Sequence, residues 1–367
     1  MESKNYYRYI SGLKGFSCLL VMIGHFVLIY KEALQFVPGF PLLDVVLHSR
    51  ISFIFNAGYW LYLFFLVSGY LVAKSQVKTA GDVLLKAINR FFRFAFPIFF
   101  SYLVIYLIYL LIGFHNGEAA GIFQSFWYQD FYTGQYSLMD VLRSPVDVLF
   151  FQKCSLVSPY WVLREMFMAS IIIYVLRYAY LSCGYKHETI YFSILILTIY
   201  LFSSLSPVIT TCLIGMLFSF CEDVEGILKK PYFAFWVMVT AMLLYTSSPT
   251  YVTVLFFLSL VIFIPKVKLF DTVFSSTAFD FLGKISWGIF SFHWPVMCSL
   301  GALIIIAMQP KSGMPASYVT ACVVSGIVSL LLAFAFHFSF ERLSAYLSSA
   351  INGFLKKVLT GLSAGRK

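Results

Sequence analysis

A chain of 367 residues with 60% hydrophobic and only 11% charged side chains is no water-soluble domain, in which about a quarter of residues carry charge. The formal net charge of +10 does not point to nucleic acid, because the basic residues fall between apolar runs, where positive-inside bias is the simpler cause. Seven cysteines, most of them inside apolar runs and none in C-x-x-C spacing, read as small buried hydrophobes and not as a disulfide or zinc framework.

Apolar windows near the length of a bilayer span fall at 9–30, 51–73, 91–113, 162–182, 189–205, 207–221, 232–247, 250–265, 286–307 and 318–340. The first is longer than a signal-peptide core and lacks a small-residue cleavage site, so it is expected to be a retained span. The fifth and sixth windows are divided only by SLSP and the seventh and eighth only by SSP, which predicts two tight helical hairpins. With the N-terminus inside, about 20 of the 26 basic residues become cytoplasmic; Lys31, Arg50, Arg143, Lys153, Arg164 and Lys311 are the exceptions. The expected fold is therefore all-α and polytopic, with about ten transmembrane helices and both termini cytoplasmic. Residues 1–342 form the membrane domain, and 343–367, which mix apolar residues with Lys356 and Lys357, form a tail along the inner membrane surface.

The first window carries two ionisable residues, Lys14 and His25, eleven positions apart. Eleven residues make about three helical turns, which puts both side chains on nearly one face, about 16 Å apart along the axis. Such groups in a membrane helix are expensive and mark a functional site by default. His25 has the chemistry of a general base able to take a proton from a hydroxyl. Next comes the segment Phe64 to Leu71, whose Ser68-Gly69 step favours close helix approach and reads as packing first. Arg90 and Arg93 share a helix face, with Lys86 one turn earlier, and offer two planar forks for phosphate oxygens. Positive-inside anchoring explains them equally well.

Two segments between windows are long. Lys31 to Arg50 holds two prolines with Asp44 and His48, and His115 to Tyr160 holds Trp127, Tyr128, Tyr132 and Tyr136 beside Asp130, Asp140 and Asp147. Aromatic anchoring at the interface is the first reading of the latter and sugar stacking the second. Trp161 opens the fourth window; Arg164 and Glu165 just after it point in different directions and should have separate partners. In the ninth window His293 stands two residues before Pro295, whose missing N–H leaves a carbonyl free, so this histidine serves backbone or substrate equally well. His337 and Glu341, one turn apart, read as a structural pair.

Taken together, Gly12-Leu13-Lys14-x10-His25, FFLVSGYL at Phe64 to Leu71, Arg90-x-x-Arg93, WVLRE at Trp161 to Glu165 and SWGIFSFHWPV at Ser286 to Val296 resemble the acyltransferase family 3 proteins, in order and over nearly the whole chain. These are ten-helix O-acyltransferases of bacterial surface polysaccharides, lipopolysaccharide O-antigen and peptidoglycan. The resemblance implies that His25 is the catalytic histidine, paired with Lys14, and that Arg90 and Arg93, with Lys86, engage an acyl-CoA donor from the cytoplasm. Two positions depart from the pattern: Ser11 stands where many members have Asp, and Lys14 where Arg is commoner. The implied reaction moves an acyl group, most simply acetyl, from acyl-CoA to a hydroxyl of a surface glycan or lipid-linked saccharide, at a bacterial inner membrane. It needs no tightly bound cofactor and no metal. His25 would either deprotonate that hydroxyl or accept the acyl group first. A transporter or flippase for a lipid-linked saccharide shares the many spans and buried charges, but should show related halves, which this chain lacks. A non-catalytic assembly subunit would not need Lys14 and His25 aligned.

Overall fold

The computed structural model describes residues 2–33, 41–183, 188–221, 257 and 267–364, and every regular element among them is helical. In chain order the helices are α1 (Glu2–Ala33), α2 (Pro41–His48), α3 (Ala57–Ala73), α4 (Ala80–Leu111), α5 (Asn116–Phe123), α6 (Phe126–Gln129), α7 (Leu138–Phe151), α8 (Trp161–Cys183), α9 (Glu188–Ser203), α10 (Pro207–Cys221), α11 (Lys268–Phe274), α12 (Thr277–Lys284), α13 (Ser286–Val296), α14 (Ala302–Phe336) and α15 (Arg342–Ala364). Four stretches are long and apolar enough to cross a bilayer: Tyr7–Ile29, Ala80–Leu111, Ser158–Ser182 and Ser286–Val358. Ala57–Ala73, Ser193–Ser203 and Pro207–Leu217 are shorter apolar helices. The predicted windows 232–247 and 250–265 lie outside the described residues.

Helix ends follow local chemistry more than hydropathy. The third window was expected to begin at residue 91, but α4 begins at Ala80, because Thr79 and Asp82 close a capping box that satisfies the first backbone donors. The second window was expected from residue 51, yet Arg50–Phe55 is a 3-10 turn and α3 starts only after Asn56, whose side chain accepts from the Gly58 N–H. At the other end, α13 and α14 are joined by a π turn at Met297–Gly301, and α14 passes into α15 through a second at His337–Glu341. Within α14 the helical path breaks at Gly313, whose φ of 74° lies where glycine meets no Cβ penalty. The tail is thus a helical continuation, and it packs against α4.

α1 is the hub: it packs against α3, α12 and α13, and touches α5 and α6 as well. Its contact with α12 runs over bare backbone. A Cβ at Gly15 would fall on the Gly283 N–H and Leu282, and one at Gly283 would overlap the Ser11 carbonyl. α3 and α10 make a second close crossing by the same means, since a Cβ at Gly69 would overlap the Cys212 carbonyl and one at Gly215 the Leu66 carbonyl. The Ser68-Gly69 step therefore packs as expected, through the glycine. Gly69→Val should lower stability by about 1–3 kcal/mol or more, read as a fall in Tm of the detergent-solubilised protein. Gly117→Ala, where nothing lies within 4 Å, is the matched control and should be nearly neutral by comparison. An unchanged Tm for Gly69→Val would contradict the crossing.

Candidate active site

α1, α3, α4, α8 and α13 surround a cavity of about 470 Å³. Four residues nominated by the sequence line it: Lys14 from α1, Ser68 from α3, and Arg90 and Arg93 from α4. Apart from Ser75 and Ser286, the rest of the wall is apolar and aromatic, including Phe64, Phe94, Trp287 and Phe290. Arg90 is held in three ways. Its Nη2 donates to Ser68 Oγ at 3.1 Å, its Nε donates to Ser170 Oγ at 3.1 Å, and its guanidinium lies over the Phe94 ring at 4.6 Å. A guanidinium has five N–H donors, so most of this fork remains available to a ligand. Arg93 is exposed at the cavity mouth, while Lys86 does not line the cavity and instead lies near the Asp82 carboxylate. Lys14 lies within electrostatic reach of both Arg90 and Glu341, and Glu341 pairs with His337 at 2.5 Å.

Because α1 is helical without interruption, the rise of about 16 Å from Lys14 to His25 holds. His25 does not line the cavity. Its Nδ1 lies 2.8 Å from Nε2 of His293, and the two rings are within 11° of parallel. His293 Nδ1 in turn lies 2.9 Å from the Ile289 carbonyl. This is not the carbonyl freed by Pro295, which is that of Ser291, four residues back; the histidine serves backbone and His25 at once. Phe290 links the two regions, forming part of the cavity wall with its ring centroid 6.4 Å from that of His293.

Beside the histidines sits an aromatic cluster that joins Trp127, from the segment between the third and fourth windows, to Trp294 of the ninth. The Trp127 and Trp294 rings lie 6.1 and 5.6 Å from the His25 ring and 4.7 Å from each other. The segment carrying Trp127 is fastened beside His293 by the π turn, whose wide backbone presents carbonyls sideways. Tyr128 Oη donates to the Met297 carbonyl at 2.7 Å and the His115 N–H donates to the Cys298 carbonyl at 2.9 Å. Asn116 Nδ2 donates to the carbonyls of Tyr128 and Phe131, closing the loop on itself. Burial pushes the Tyr128 and Tyr132 phenols well above their ordinary range, so both stay protonated donors.

Three nominated residues stand apart. Trp161 is 46% exposed. Arg164 Nη1 donates to Gln152 Oε1 at 3.3 Å, and Glu165 accepts from Ser206 Oγ, which also accepts from the Ile209 N–H at the start of α10. Arg164 and Glu165 do have separate partners, and Glu165 ties α8 to α10. None of the three lines the cavity, whereas their neighbours Val162, Leu163 and Met166 do. Residues not nominated form a buried polar network behind the cavity wall at Trp287: Tyr160 Oη and Ser291 Oγ are 2.5 Å apart, and Ser101 Oγ donates to Ser291 Oγ while accepting from Trp287 Nε1. Ser11, at the position that departs from the family pattern, donates to the Asp280 carbonyl at 3.3 Å. Burial raises the Asp280 carboxyl, but Lys284, Ser11 and Arg8 outweigh it and hold the group below its usual range. No cluster of His, Cys, Asp and Glu suited to a metal occurs among the described residues.

Compared with known proteins, the chain matches the protein-family model of acyltransferase family 3, described as Acyltransferase domain, over residues 7–337. No curated protein and no solved structure matches it.

Proposed function

Since the chain belongs to acyltransferase family 3 and is a membrane acyltransferase, we propose that it moves an acetyl group from cytoplasmic acetyl-CoA to a hydroxyl of a surface glycan or lipid-linked saccharide. The observation that carries this reading is the shared cavity: Lys14, Arg90 and Arg93 all line it, and it reaches Phe290, beside the His25–His293 pair. Positive-inside anchoring needs arginines at the membrane surface. It does not need a guanidinium turned inward and fixed by two serines. A CoA phosphate group placed against Arg90 and Arg93 receives charge-assisted hydrogen bonds, and the uncharged pantetheine arm suits the apolar remainder of the wall.

In the reaction, His25 takes the proton of the acceptor hydroxyl as its oxygen bonds to the thioester carbonyl carbon. The carbon–sulfur bond then breaks, and the departing thiolate takes that proton back from His25 to leave as free CoA. Trp127, half-buried beside the His25 ring, gives the acceptor sugar a stacking surface next to the base, and the buried Trp294 packs against it. Family membership sets the transporter reading aside, and the ten-span topology with both termini inside is part of this proposal. Protein reconstituted in liposomes with acetyl-CoA labelled in its acetyl group should transfer label to an added glycan acceptor, in proportion to protein. Label that stays on CoA with every glycan and lipid-linked saccharide of the source cell would refute the proposal. A surface glycan whose mass does not change when the protein is removed would do the same.

A further inference from the structure

We infer that His293 is a positioning residue that holds the ring proton of His25 on Nδ1, leaving the Nε2 lone pair of His25 as the base. The inference rests on the reading of His25 as general base and adds which nitrogen acts and what fixes it.

The proton positions follow from one fixed point. The Ile289 carbonyl can only accept, so the His293 nitrogen 2.9 Å from it, Nδ1, must carry a proton. The His293 ring is fully buried, and an imidazolium there would forfeit its hydration, so the ring is neutral and its Nε2 is an acceptor. The atom 2.8 Å from that acceptor is His25 Nδ1, which must therefore donate. With Nδ1 protonated, a neutral His25 keeps its lone pair on Nε2. The order is carbonyl, His293, His25, lone pair, and each member determines the next. The near-parallel rings, 11° apart, suit a bond lying in both imidazole planes.

The arrangement corrects an intrinsic preference. A free neutral imidazole favours the proton on Nε2, the tautomer in which that nitrogen cannot act as a base. The usual orienting partner of a catalytic histidine is a carboxylate. Here a neutral ring does the orienting, which avoids a buried anion in an apolar helix bundle. When His25 gains the acceptor proton, its Nδ1–H bond to His293 persists, and no proton needs to move along the chain toward Ile289. The path stays short: from hydroxyl to Nε2, and from Nε2 to the leaving sulfur.

The test combines solid-state NMR of ring-15N-histidine protein in liposomes with transfer kinetics, for wild type, His25→Ala, His293→Leu and His293→Gln. The signal lost in His25→Ala identifies His25. In wild type His25 should show a protonated Nδ1 and an unprotonated Nε2. His293→Leu removes the acceptor; the Nε2-protonated form should then appear, and kcat should fall roughly 10²- to 10⁴-fold, the span a positioned general base contributes. KM for acetyl-CoA should not change. His293→Gln keeps an acceptor oxygen for His25 and an N–H for the Ile289 carbonyl, so it should restore the wild-type tautomer and much of the kcat, which a merely space-filling role for His293 does not predict. A protonated Nε2 in wild type, or full kcat in His293→Leu, would overturn the inference even with His25→Ala inactive. If His293→Leu fails to fold, folded His293→Gln with the wrong tautomer would overturn it equally. An active His25→Ala would instead remove the base assignment beneath it.

Discussion

His25→Ala, present in the membrane at wild-type level, is expected to lower acyl transfer by roughly 10²- to 10⁴-fold or more while leaving acyl-CoA affinity unchanged. The separation of the two effects follows from position: Lys14 lies about three turns of α1 below the histidine, and the cavity it shares with Arg90 and Arg93 is not lined by His25. The substitution leaves the glycine crossings at Gly12 and Gly15 intact, so α1 keeps its seat against α11 and α12. It strands the acceptor nitrogen of His293, at a cost on the order of 1–3 kcal/mol, which a membrane bundle of this size tolerates. His25→Gln isolates the chemistry further. Its amide N–H can still bond His293, but no amide takes up a proton near neutral pH, so it should be as inactive as His25→Ala. Transfer at the wild-type rate by either variant would exclude His25 as the base.

What the sequence made legible is what depends on one helix. Lys14 and His25 share a face because of their spacing alone, and the uninterrupted α1 preserves it. The same holds for Arg90 with Arg93, and for the different directions of Arg164 and Glu165. Contacts across the chain were another matter. His25 and His293 are separated by 268 positions, and their bond depends on how α13 is set against α1 by Cys18, whose Sγ donates to the Ser286 carbonyl, and by the close seat of the preceding α12 on α1 at Gly283. Spacing carries none of that. Hydropathy likewise missed the start of α4, because a capping box is written in Thr79 and Asp82 and not in apolarity. Trp127 was visible as an aromatic residue, yet its place over His25 comes from the π turn at Met297–Gly301, which no residue pattern in the ninth window announces.

Ser68 shows how a residue can be right for an unforeseen reason. It was nominated with Gly69 as a small step for helix packing, and the packing belongs to the glycine. The serine hydroxyl instead accepts from Arg90 and helps to aim the guanidinium into the cavity. Hydrophobic burial determines where the helices meet, and a few polar atoms at those meetings determine what the cavity can hold.

The double variant Arg90→Ala with Arg93→Ala is expected to raise KM for acetyl-CoA by roughly 10²-fold with kcat at saturating donor little changed, because charge-assisted hydrogen bonds contribute about 1.5–3 kcal/mol each. The two arginines should not contribute equally. Arg93 is exposed, so its share is screened and should shrink as salt rises from low to physiological strength. Arg90 is half-buried, stacked on Phe94 and fixed by Ser68 and Ser170, so its share should persist in salt. Removing it leaves no stranded partner at Ser170, whose hydroxyl also donates to the Met166 carbonyl at 2.8 Å, and the variant should fold. Arg90→Lys keeps the charge but loses the planar fork that reaches two serines and a phosphate at once, so it should recover only part of the affinity. Ser68→Ala should weaken binding less than either arginine substitution, acting only through the aim of Arg90. A purely structural Arg90 predicts the opposite pattern: a lower Tm for Arg90→Ala, with KM and its salt dependence as in wild type.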